Sequence, residues 1–164
     1  MQRIAAIAAM SENRAIGKNN KLLWKLPDDW ANFRRVTAGK AFIMGRKSYE
    51  AEDALISDYR NVIITHQKDL KVPENTLIAN SPEEALELVQ DESEVFVLGG
   101  AAIFKQMLPM VNYLYLTIVH HVFDGDAYFP EIDWSDWRLI KSDYHPVDKD
   151  HAYPFSLNEY ELVR

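Results

Sequence analysis

The sequence predicts an α/β fold: a single three-layer domain over residues 1–164, with a mainly parallel twisted sheet and an antiparallel C-terminal edge. Three observations carry this reading. Short apolar runs alternate with helical stretches, the pattern of parallel strands covered on both faces. The last three strand-like pieces follow one another without helices, which makes an antiparallel edge. At 164 residues and 19.0 kDa, with 48% hydrophobic and 26% charged residues, the chain has the size and composition of one globular domain.

The elements follow in order. Residues 4–10 form a continuous apolar run closed by polar residues, as expected of a buried strand. Residues 13–20 read as loop. Leu26-Pro27-Asp28-Asp29 opens a helix, with Pro at its first position and acids in its first turn, where the backbone amides are unpaired. That helix runs to about residue 37 and stops near Gly39. Residues 41–44 make a second strand, closed by Gly45, and a helix is expected over 47–54. Residues 61–65 are rich in β-branched side chains and residues 76–79 make a further strand. Ser81-Pro82-Glu83-Glu84 reads as a capping box. A strand at 95–98 breaks at Gly99-Gly100 into a helix over 101–108. Strands near 113–122, 138–144 and 155–163 complete the chain.

Charge and composition exclude several classes. Eighteen Lys and Arg against 25 Asp and Glu give a net charge of −7, which argues against a nucleic-acid partner. No apolar run approaches the roughly 20 residues of a membrane span. The start, MQRIAAIAAM, meets Ser11, Glu12, Asn13 and Arg14 at once, which reads against a signal peptide. The absence of cysteine removes disulfides and thiolate metal sites and suits a cytoplasmic protein.

Ligands of open α/β sheets bind beyond the carboxyl ends of the strands. One such end is Leu98-Gly99-Gly100-Ala101-Ala102, where missing Cβ atoms let backbone approach a ligand. Another is Gly45-Arg46-Lys47-Ser48, two cations and a hydroxyl at a helix start. Read singly, the first is explained as well by a tight turn and the second by solvated surface. Together they leave a pyrophosphate-bearing nucleotide level with coincidence. Asp28 and Asp29 separate by geometry. At about 100° per residue, Phe33 lies roughly 40° and Val36 roughly 20° from Asp29, on an apolar face, while Asp28 points away. Asp28 is a helix-dipole acid. Asp29, beside Trp30 and Phe33, needs a raised pKa or a cationic or amidine-like partner, and is a functional candidate. Adjacent His120 and His121 project to opposite faces of a strand, and His66, His145 and His151 show no ligand spacing with acids, so no metal is expected. No nucleophile elbow of the G-x-S-x-G kind is present.

Taken together, Ile7-Ala8-Ala9, Ala15-Ile16-Gly17, Trp24-Lys25-Leu26-Pro27-Asp28-Asp29, Phe33, Ile43-Met44-Gly45-Arg46-Lys47-Ser48-Tyr49-Glu50, Gly99-Gly100 and Asp124-Gly125-Asp126 with Phe129-Pro130 resemble bacterial dihydrofolate reductases. The resemblance spans essentially the whole chain, in order and at family spacing. It implies the family's fold and an NADPH-dependent reduction of 7,8-dihydrofolate to tetrahydrofolate, an oxidoreductase of one-carbon metabolism and an antifolate target, acting as a monomer. Asp29 matches the ionisable group of the pterin pocket, Thr117 the threonine linked to it, and Trp24 the tryptophan that holds an ordered water. Ile7, Ala8 and Leu98 would face the pterin, with Phe33 packed on it. Ala9 and the lid loop, with Ala15, Ile16, Gly17, Asn20, Lys21 and Leu22, match the nicotinamide side. Gly99, Gly100, Ala101, Ala102, Ile103 and Phe104 match the pyrophosphate turn, where the family joins the glycines by a cis peptide. Gly45, Arg46, Lys47 and Ser48, with Thr65 and His66 across the cleft, match the phosphate and adenosine side, and the cations favour NADPH over NADH.

Three positions depart from the family. Leu23 replaces a frequent lid proline, and Ala102 replaces an arginine found in some members. Tyr59 stands where the family's arginine grips the glutamate tail of the substrate. Arg60, one position on, would reach the tail only if the register shifts; Arg34, on the pocket helix, would reach it from the rim. A reductase of tail-less pterins, a ribosylaminopyrimidine reductase and a non-catalytic NADPH-binding protein are the rival readings. Asp29 and Thr117 favour a pterin over the ribosylaminopyrimidine, and their presence with Trp24 argues against nucleotide binding alone.

Overall fold

The computed structural model describes residues 2–19, 21–67 and 69–163. One eight-stranded sheet forms its frame, built from β1 (Arg3–Ser11), β3 (Ala41–Gly45), β4 (Arg60–Ile64), β5 (Thr76–Ala79), β6 (Glu94–Gly99), β7 (Tyr113–Val119), β9 (Trp137–His145) and β10 (Phe155–Leu162). Their order is β5-β4-β3-β6-β1-β7-β10-β9. Pairing is parallel from β5 to β7, and β10 runs antiparallel to both β7 and β9. The expected parallel sheet with an antiparallel C-terminal edge is the observed one.

The two-residue alternation of strands distributes side chains between two layers. Ala5, Ile7, Phe42, Met44, Ile63 and Phe96 share one face with Phe33 and Val36 of α1 (Pro27–Thr37). Ala6, Met10, Ile43, Val62, Val95 and Val97 share the other with α3 (Pro82–Leu88) and α4 (Ala101–Met107). Helices therefore cover both faces of the central strands. At α3 the Ser81 hydroxyl accepts from the Glu84 amide at 3.1 Å, while the Glu84 carboxylate accepts from the Asn80 amide at 3.3 Å. The reciprocal bond of the capping box thus falls one residue before the cap.

Two expectations change. The helix expected over 47–54 is α2 (Arg46–Glu50), and Ala51 leaves it with an extended backbone. Residues that follow, Ala54 and Leu55 among them, turn instead to line the main cavity. The segment read as loop after residue 13 contains β2 (Ala15–Gly17), paired antiparallel with β8 (Ala127–Tyr128). No described helix is long and apolar enough to cross a membrane.

Candidate active site

A cavity of about 980 Å³ opens where the parallel strands end. Its floor comes from the carboxyl halves of β1 (Ile7, Ala8 and Ala9), β3 (Met44 and Gly45), β4 (Ile64), β6 (Leu98) and β7 (Thr117). This is the crevice that an α/β sheet offers at its strand ends.

At one end α1 projects Asp29, Trp30, Asn32 and Phe33 into the cavity. Phe33 packs edge-on against Phe42 with ring centroids 5.9 Å apart, which fixes the helix face presented to the site. The register of β1 on β7 puts Thr117 beside Ala9. The Thr117 hydroxyl donates to Asp29 Oδ1 at 2.5 Å. Burial pushes the Asp29 carboxyl above the usual aspartate range, and the Thr117 hydrogen bond offsets part of that rise. Trp24, buried against Phe123 at 5.2 Å, closes the wall beside them. Asp28 lies outside the wall, as the helical angle requires, and bonds to His145 instead.

At the other end two bare-backbone turns meet. The Gly99–Gly100 peptide is cis. Gly99 has φ +94, and a Cβ there would stand 2.4 Å from the Phe104 ring, so only glycine fits. A Cβ on Gly100 would lie 3.5 Å from the Ser48 Oγ, which brings the β6–α4 turn against the β3–α2 turn. Gly45, Arg46, Lys47 and Ser48 line the cavity here, facing Gly100, Ala101, Ala102, Ile103 and Phe104. Arg46 is half exposed and pairs with Glu50 at 3.3 Å.

The lid residues Ile16, Gly17, Lys21 and Leu22 form a further wall. Their loop is tied down across the sequence. Gly17 accepts from the Asp126 amide at 3.0 Å, Lys18 pairs with Asp124 at 3.0 Å, and the Asn19 amide donates to Asp126 at 3.0 Å. A Cβ on Gly125 would stand 2.8 Å from the Gly17 carbonyl oxygen. Asn20 lies outside the described residues.

Several expected residues stand off the wall. Ala15 is fully buried behind the lid in the β2–β8 ribbon. Gly99 turns under Phe104, and Thr65 and His66 lie just past β4 without bordering the cavity. The tail candidates need correction. The Tyr59 hydroxyl donates to Glu92 at 2.6 Å, outside the cavity. Arg60 donates to Glu92 at 2.9 Å, Asp91 at 3.1 Å and the Leu88 carbonyl at 2.6 Å, so its guanidinium is held at the opposite, amino-terminal edge of β4. Arg34 is exposed on α1 and does not border the cavity. Conversely, Tyr115, Asp126, Ala127 and Tyr128 line it without having been singled out as site residues. The Asp124-Gly125-Asp126 motif was the available signal, but its contact with the lid is long-range.

Comparison with known proteins agrees with this geometry. The family model described as dihydrofolate reductase matches residues 3–162. The dihydrofolate reductase of Bacillus subtilis is 37% identical over 158 residues, covering 96% of this chain and 94% of that protein. That of Neisseria gonorrhoeae is 40% identical over 157 residues, covering 94% and 96%. A solved dihydrofolate reductase from Enterococcus faecalis, complexed with NADP(H) and RAB-propyl, superposes with a TM-score of 0.90 at 32% identity, over 99% of this chain and 97% of that one. A matching family model, a shared fold and near-complete coverage lead to one conclusion: this chain belongs to the dihydrofolate reductase family.

Proposed function

We infer that this chain is an oxidoreductase that reduces 7,8-dihydrofolate to 5,6,7,8-tetrahydrofolate with NADPH. The observation that carries the reading is the half-buried Asp29 bonded to buried Thr117 at one end of a cavity whose other end is bare glycine backbone and cations. The glycine end fits the cofactor, because backbone without a Cβ at Gly100 leaves room for a pyrophosphate beside Ser48 and Arg46, while Gly45 lets Ile103 pack under the turn. When bound, the dihydronicotinamide supplies a hydride to C6 of the pterin, and N5 takes a proton.

The chain's own residues do the rest. Asp29 accepts hydrogen bonds from the 2-amino and N3 side of the ring, a charge-assisted pairing that offsets the burial of its carboxylate. Thr117 holds that carboxyl in place through its 2.5 Å bond. Phe33 packs on the ring, the backbones of Ile7 and Leu98 flank it, and Trp24 holds the water that carries the proton to N5. Ala9 and the lid enclose the nicotinamide end, and exclusion of bulk water there strengthens each polar contact. The adenosine would extend past the cavity wall to reach Thr65 and His66, just beyond β4.

We also propose that residues 1–164 form one catalytic unit, acting as a cytoplasmic monomer with no nucleic-acid partner. The eight-stranded sheet spanning Arg3 to Leu162, the net charge of −7 and the lack of cysteine support this. The test is loss of NADPH absorbance on adding dihydrofolate. NADPH binding without turnover of either dihydrofolate or dihydrobiopterin would replace this reading with that of a binding protein.

A further inference from the structure

Away from the cavity, the C-terminal β9–β10 hairpin meets the start of α1 through a group of polar side chains. Asp28 Oδ2 lies 2.8 Å from His145 Nε2, and Asp28 Oδ1 lies 4.0 Å from His151 Nε2. One ligand atom from each of the three residues falls within 4.8 Å of the others. The spacing in sequence conceals this, because the hairpin returns His145 and His151 to a helix more than 100 residues earlier.

Both imidazoles are held from behind. His151 Nδ1 lies 2.7 Å from Asp148 Oδ1, and His145 Nδ1 lies 2.7 Å from the Pro146 carbonyl. Carbonyl and carboxylate only accept, so each Nδ1 carries the proton. The His145 ring is also stacked on Phe155 at 4.6 Å and 11°, and His151 is buried. The two Nε2 atoms are thereby aimed at one residue, His145 at the Asp28 carboxylate and His151 at the Asp28 amide, with a carbonyl and a carboxylate behind them. That is the orientation that second-layer hydrogen bonds impose on metal-ligating histidines.

The present partners of those Nε2 atoms are exchangeable. His151 Nε2 accepts from the Asp28 amide at 3.0 Å, so it is unprotonated, and an ion would take its lone pair in place of that amide. His145 Nε2 faces a carboxylate oxygen, so it presents a proton where a cation would stand. We propose that Asp28, His145 and His151 form a site for a zinc-class divalent ion, which fastens the hairpin to the first turn of α1. Two imidazoles and one carboxylate suit zinc, cobalt or nickel rather than magnesium or calcium. Zinc-to-ligand bonds of roughly 2.0–2.2 Å require the ligand atoms to close by about 1 Å. Asp28, which is exposed, supplies part of that movement, and the His151 ring turns off the Asp28 amide to face the ion. Asp148 Oδ2, 3.7 Å from His145 Nε2, or a water completes the set.

The experiment is thermal unfolding of the full chain with Zn²⁺ alone, at about neutral pH, with Mg²⁺ in parallel. At free zinc about 100 times its Kd, the midpoint should rise by roughly 5–10 °C. Mg²⁺ should leave it unchanged. His145→Gln and Asp28→Asn should each abolish the zinc response while leaving basal turnover intact, since neither residue borders the cavity. Asp28 is exposed and glutamine keeps an amide where the His145 ring is partly exposed, whereas His151 also accepts the helix amide and is avoided. Bound Co²⁺ should give a visible absorption band in the parent and lose it in both variants. No midpoint shift with zinc overturns the proposal. So does a shift that survives both substitutions, which would place the ion on other histidines.

Discussion

The Thr117 hydroxyl, from the centre of the sheet, donates to the Asp29 carboxylate, from the first turn of the pocket helix, at 2.5 Å. The bond joins β7 to α1 at a point where a carboxyl is both pushed up by burial and set in the cavity wall. Asp28, its neighbour, is turned to the solvent side and to His145. Two adjacent acids thus have separate fates.

Asp29→Asn should therefore lower kcat/KM for dihydrofolate by at least about 10²-fold near neutral pH, the scale of a positioned acid–base group. Asp28→Asn should leave it nearly unchanged. Steady-state kinetics of the two variants decide this, and equal losses would refute the assignment of the two faces of α1.

Stability should move the other way. A carboxyl held above its ordinary value binds its proton more tightly in the folded chain, so its contribution is present below the aspartate range and is lost as pH rises through the raised value. Above that value, the buried carboxylate destabilises the ligand-free protein. Asp29→Asn should therefore melt higher than the parent at about pH 8, with the gap narrowing as pH falls towards about 4. Melting curves of both proteins across that range test it; a gap independent of pH would show that Asp29 ionisation does not enter.

Arg46 faces the glycine end of the cavity while pairing only with exposed Glu50 among its described partners. Arg46→Ala should reduce the preference for NADPH over NADH by about 10-fold or more, since a charge-assisted contact contributes roughly 1.5–3 kcal/mol. Kd values for both cofactors give the ratio, and an unchanged ratio would leave Arg46 as surface.

Much of the fold was legible because parallel strands buried on both faces are continuous apolar runs, as at Ala41-Phe42-Ile43-Met44, all buried. The β2–β8 ribbon was not, because its segments carry no local period and pair across more than 100 residues. The end of α2 was missed for a related reason: Ala51 turns out of the helix to serve the cavity wall, a tertiary demand with no local breaker. In the site, Asp29 was legible from helical angle alone. The identities at Tyr59 and Arg60 were readable, but their direction depended on Glu92, an acid beyond α3 that the local sequence does not reveal.

That direction sharpens a substrate prediction. Tyr59 carries no cation and, like Arg60, is bound to Glu92 outside the cavity, so neither is placed to grip the glutamate tail. The chain should discriminate only weakly between dihydrofolate and a dihydropterin lacking the glutamate, the missing pairing being worth about 5- to 150-fold. Arg60→Ala should not alter that ratio of kcat/KM, and Tyr59→Arg, at a position that faces Glu92 outside the cavity, should not raise it either. Loss of a strong dihydrofolate preference in Arg60→Ala would restore Arg60 as the anchor.

The close approach of Gly125 to the Gly17 carbonyl has an evolutionary consequence. With 2.8 Å where a Cβ would stand, and with Asp124 and Asp126 bonded to the same turn, the two loops keep each other's length and shape. They behave as one inherited piece although about a hundred residues separate them. An insertion in either should survive only with a matching change in the other. Grafting residues 15–22 from a relative should fail alone and succeed when residues 124–128 travel with them.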